Sequence, residues 1–102
     1  MARRNPERLA EKLQVIRREL NLSQRGLIRR MGLEDELTQA EISMFESGRR
    51  IPSLLVLHEY ALMAGVWMDV LVVDELDLPQ TLPANPVSPG IKRKRHVRRR
   101  VS

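Results

Sequence analysis

With 102 residues and no cysteine, the chain is expected to form one small domain without disulfides or thiolate metal sites. Its net charge of +5 divides unevenly: residues 1–50 hold 11 Lys/Arg against 8 acids, residues 51–91 hold 5 acids and no Lys/Arg, and residues 92–102 hold 7 Lys/Arg and no acid. That polarity suits a body with one anion-facing side and a charged tail.

His58 and His96 are too far apart to suggest a zinc site. No catalytic residue, metal or cofactor is expected. Neither a bilayer-length apolar run nor a signal pattern is present, so the default is a cytoplasmic protein without membrane contact.

The first helix is expected from about Pro6 to Leu20. Asn5 suits its N-cap, Pro6 its first position, and Leu9, Leu13, Ile16 and Leu20 make its apolar stripe. Arg8, Lys12, Arg17 and Arg18 fall on other faces, as solvated charges. Asn21 can close the helix in the left-handed region.

Ser23 then caps a second helix, Gln24 to Met31, with Leu27 and Met31 at helical spacing and Gly32 as its left-handed stop. Gly26 inside it costs about 1 kcal/mol relative to alanine and points to close packing or a marginal helix. Arg29 and Arg30 read as solubilising charges. The connection Leu33-Glu34-Asp35-Glu36-Leu37 is acidic and should face away from any phosphate backbone.

Thr38-Gln39-Ala40-Glu41 matches a capping box and opens a third helix that ends at Gly48. Ile42 and Phe45 face inward, while Gln39, Ala40, Ser43 and Met44 face outward. A short capped helix with small polar residues outside, followed by Arg49-Arg50, suits insertion into a major groove.

Pro52 as first residue or Ser53 as cap starts a fourth helix that ends at Gly65, with Leu54, Leu57, Ala61 and Ala64 as the inward stripe. A fifth runs roughly from Met68 to Val73. Leu55, Leu62, Trp67 and Val70 are surplus apolar positions and are expected at an interface, most simply with a second copy. The alternative is that Leu76, Leu78 and the following residues fold back over them. His58 reads as a packed or interface histidine. From Pro79 a Pro-rich linker leads into a basic tail, which suits either non-specific nucleic-acid binding or solubility. The expected division is therefore a domain of residues 1–78 and an unstructured tail of 79–102.

Leu22-Ser23-Gln24, Gly32, Ile42-Ser43, Phe45-Glu46, Gly48-Arg49-Arg50 and Pro52-Ser53-Leu54 together resemble the Xre family of phage repressor and Cro-like helix-turn-helix domains. The resemblance covers about residues 6–73. It implies an all-α fold, a repressor-like bundle of five helices whose third helix enters the major groove, usually as a two-fold dimer.

By the same resemblance Gln39, Ala40, Ser43 and Met44 fall at base-reading positions. Gln24, Arg25, Thr38, Ser47, Arg49 and Arg50 fall where the DNA backbone would be met. A glutamine can contact adenine through two hydrogen bonds, and an alanine can pack on a thymine methyl. Glu46 resembles a structural glutamate, and Gln24 one that braces the reading helix.

Three positions depart from the family pattern. The segment from Gly32 to Ile42 is longer by about four residues, either as a looser loop or as an added half-turn. Ile28 replaces an alanine between the second and third helices, and Trp67 replaces a Ser-like cap.

The function expected is a sequence-specific double-stranded DNA-binding transcriptional regulator, a repressor by default, acting as a homodimer. The alternative is an antitoxin-like or adaptor module that holds an unlike protein partner on the apolar face of helices four and five. An enzyme is disfavoured, because the carboxylates are taken up by caps and turns rather than converging in a pocket.

Overall fold

The computed structural model describes residues 6–83; Asn5 and the chain from residue 84, including the basic tail, lie outside them. Five helices follow in order: α1 (Leu9–Glu19), α2 (Gln24–Met31), α3 (Gln39–Ser47), α4 (Leu54–Ala64) and α5 (Met68–Val72). No strand occurs among the described residues, so the all-α expectation holds. Helix α1 is the centre, packing on α3, α4 and α5, while α2 packs on α3.

Local chemistry fixes most of the borders. The Ser23 hydroxyl accepts from the Gly26 amide at 2.9 Å, and the Ser53 hydroxyl from the Val56 amide at 3.2 Å. At Thr38 both halves of the capping box are made: Glu41 N donates to the Thr38 hydroxyl at 3.2 Å, and Thr38 N donates to Glu41 Oε1 at 3.0 Å. Gly32, Gly48 and Gly65 close α2, α3 and α4 at φ of 73°, 81° and 73°, a region costly for any side chain, and Asn21 takes φ 58° after α1. A Cβ on Gly26 would stand 3.1 Å from the Ser23 hydroxyl, so its smallness serves the cap.

Helix α1 begins later than its sequence suggests. It starts at Leu9, with Arg8 as cap residue and no side-chain cap. The amides of Glu7 and Arg8 instead donate to the Asp74 carboxylate, at 2.9 and 3.0 Å. The helix start is therefore satisfied from the far end of the domain, which no local pattern reveals.

The lengthened connection between α2 and α3 is an added turn. Glu36 N and Leu37 N both donate to Leu33 O at 2.9 Å, and Leu33 and Leu37 pack on the core while Glu34, Asp35 and Glu36 stay exposed. Ile28 is buried within the core cluster.

The core joins Leu9, Leu13 and Ile16 to Leu27, Ile42, Phe45, Leu57, Tyr60 and Leu71. On α4 the inward face differs from the expected stripe: Leu54 is 72% exposed, and Val56, Leu57, Tyr60, Ala61 and Ala64 are buried. The helix is apolar nearly all round, so its sequence carries no polar contrast to fix the rotation. Beyond α5, Leu78 and Leu82 pack on the core. This covers part of the surplus apolar surface but leaves Leu54, Leu55 and Trp67 exposed.

Candidate nucleic-acid interface

Helix α3 presents two faces. Ile42 and Phe45 are buried, whereas Gln39, Ala40 and Ser43 are exposed and Met44 is half-buried. The four expected base-reading positions thus share the outer side. Thr38, Ser47, Arg49 and Arg50 are exposed at its two ends, and Gln24 and Arg25 open α2 beside it.

These side chains are joined from the interior outward. Arg17 on α1 holds Glu46 on α3 through two bonds, Nε to Oε2 at 2.6 Å and Nη2 to Oε1 at 3.0 Å. The pair is nearly buried, with side chains 15% and 5% exposed, and Arg17 Nη1 also donates to Leu22 O at 2.9 Å. Each partner thereby finds the counter-charge that burial demands. The same bond to Glu46 raises the Arg17 pKa further above its ordinary value.

Outward from Glu46, Gln24 Nε2 donates to Oε1 in a long bond of 3.4 Å. Gln39 Nε2 then donates to Gln24 Oε1 at 3.2 Å, and Arg25 Nε donates to Gln39 Oε1 at 3.1 Å. At the other end of α3 Arg50 pairs with Glu41 Oε2 at 3.4 Å, and the Ser47 hydroxyl donates to Met44 O at 3.2 Å. Arg49 forms no ion pair among the described residues.

Arg17 is the functional support that sequence reasoning missed, having been read as a solvated charge. Its signal was position: Arg17 and Glu46 each follow a buried apolar residue, Ile16 and Phe45, and so sit on the flank of the core. Lys12 was misread in the same way. It is 2% exposed, and its ammonium donates to the carbonyls of Val70, Val73 and Leu76 at 2.8, 3.0 and 2.7 Å. Burial lowers its pKa, and the charge of Arg8 adds to that effect.

The expected interface residues lie on α4 and α5. Leu55 is 72% and Trp67 57% exposed, while Leu62 and Val70 are half-buried, Val70 against the core. Trp67 caps α5 without a side-chain bond. His58 is half-buried. No group of acids and histidines that could hold a metal occurs among the described residues, and no helix there is long and apolar enough to cross a membrane.

Two adjacent helices, the second carrying exposed polar side chains on a braced face, define a helix-turn-helix. The helix-turn-helix family matches residues 13–66, more than half of the chain, and the protein belongs to that family in its Xre-like form. It is by class a DNA-binding transcription regulator, a regulatory rather than a typically enzymatic domain. No curated protein and no solved structure matches it.

Proposed function

We propose that the protein is a sequence-specific double-stranded DNA-binding repressor that reads the major groove with α3 as a homodimer and acts by occluding its site. The observation that carries this reading is the exposed, braced carboxamide of Gln39 at the start of α3. Gln39, Ala40, Ser43 and Met44 supply the sequence choice. Gln24, Arg25, Thr38, Ser47, Arg49 and Arg50 meet the backbone and set register. Leu55, Leu62, Trp67 and Val70 form the dimer contact. Residues 1–78 act as the DNA-binding domain, to which Leu82 adds by packing on its core, and the residues beyond act as linker and basic tail.

Selection from a random duplex pool tests the reading. The intact chain is expected to enrich an inverted repeat, and Gln39→Ala to relax one base position in each half-site. Loss of a bidentate contact weakens discrimination there by about 1–3 kcal/mol. An intact chain that enriches no motif and releases DNA at modest salt overturns it; an unlike protein that co-purifies in fixed proportion would then favour the adaptor alternative.

A further inference from the structure

The bonds that end at Gln39 have a direction. A carboxamide has an oxygen that only accepts and a nitrogen that only donates, so its orientation follows from its neighbours. Both Glu46 oxygens accept from Arg17, and Oε1 also accepts from Gln24, which turns the Gln24 nitrogen inward and its oxygen outward. That oxygen draws the Gln39 nitrogen toward it, which leaves the Gln39 oxygen facing Arg25. Arg25 is a pure donor and closes the series. A flip of the Gln39 amide would set two donors against each other at Arg25 and two acceptors at Gln24. Both ends of the series, a carboxylate and a guanidinium, therefore enforce one orientation.

We propose that Arg25 is a specificity-determining residue that acts by holding the Gln39 carboxamide in one orientation for base reading. This rests on the DNA-reading proposal above. Gln39 uses one acceptor site on Arg25 and one N–H on Gln24, so one acceptor site and one N–H remain for a base. Adenine needs that complement, an acceptor for its N6 amine and a donor for N7. With the order of acceptor and donor fixed along the groove, A·T and T·A become distinguishable at that step. An amide free to flip reads both alike.

Lysine at position 25 separates this role from a phosphate contact. It keeps the positive charge, but a methylene replaces the donor at the Nε position and the ammonium stands one atom further out, away from the point that Nε fills. Random-pool selection and salt titration are run on the full chain, on Arg25→Lys and on Arg25→Met. Arg25→Lys is expected to keep the wild-type salt slope while the preference at one base position per half-site falls about tenfold. Arg25→Met is expected to lose the same preference and to reduce the salt slope by about one phosphate. A full preference in Arg25→Lys, or an unaltered motif with uniformly weaker binding in both variants, overturns the proposal.

The side-chain amide of Gln39 gives a second readout without DNA, by nitrogen relaxation in the free protein. It is expected to be ordered in the wild type and mobile in both variants; equal order in all three overturns the lock. A wild-type chain that enriches no motif overturns the DNA-reading proposal itself, and the relaxation measurement then still decides whether the lock exists.

Discussion

Asp74 carries two duties, one through its side chain and one through its backbone. Its carboxylate accepts the amides of Arg8 and Glu7, which stand at the positive end of the α1 dipole, and its carbonyl accepts from Arg8 Nη1 at 2.6 Å. The Arg8 amide bond is the main cause that holds its pKa below the ordinary value, with the Glu7 amide next. Because the folded-state pKa is lowered, this stability is present above the unfolded value and is lost as pH falls through the folded one. The melting temperature of the wild type is therefore expected to drop as pH falls below about 4. Asp74→Asn should melt lower at neutral pH and show a shallower acid drop. The Arg17–Glu46 and Arg8–Asp77 pairs are present in both proteins, so the difference between the two curves isolates Asp74. If the curves run parallel, the carboxylate contributes only as an uncharged acceptor. None of this was legible in the sequence. Asn5-Pro6-Glu7 offers a plausible local start, and a partner more than sixty residues away leaves no trace in the spacing.

At the scale of elements, legibility followed the range of the forces. The borders of α2 and α3, set by Ser23, Gly32, Thr38, Glu41 and Gly48 within their own segments, were readable residue by residue. The packing of α1 on its neighbours was readable only in its apolar half. Leu13 and Ile16 announced themselves, while Lys12 and Arg17 looked like surface charges. The lack of any Lys/Arg between residues 51 and 91 was the available clue that the α5 carbonyls must find a cation elsewhere. Arg17 ties α1 to α3 in the same way. The Tyr60 hydroxyl is buried with no partner among the described residues, and burial raises its pKa further above an ordinary value that already leaves it neutral. The Arg17–Glu46 pair is thus bounded by a side chain that cannot supply a charge. Arg17→Met should leave the Glu46 carboxylate buried and unpaired, at a cost of about 3–5 kcal/mol in denaturant-induced unfolding. A loss below about 1 kcal/mol would mean that the pair behaves as a surface bridge, against its burial.

The division of charge along the molecule acquires a partly internal meaning. Asp74 and Asp77 answer Arg8, and the carbonyls of Val70, Val73 and Leu76 answer Lys12, so the acidic second half serves to fasten the basic first helix. This weakens the case for an acidic docking surface and leaves the apolar positions as the better mark of an interface. Leu54 and Leu55, each 72% exposed, and Trp67, 57% exposed, stand on α4 and at the start of α5. Apolar positions this exposed are costly to leave in water, and a second copy meeting them through a two-fold axis satisfies both protomers with one surface. The same axis would set two α3 helices toward successive major-groove faces, about 34 Å apart. Two half-sites bound through one dimer gain affinity from effective concentration, by about 10²–10⁴-fold over one half-site. Leu55→Ser combined with Trp67→Ser is therefore expected to halve the mass seen in sedimentation equilibrium. It should weaken binding to the selected inverted repeat by about 10²-fold or more, yet leave binding to an isolated half-site unchanged. Equal masses for variant and wild type, both of a single chain, would remove the dimer from the mechanism. The motif would then have to be read by one α3 alone.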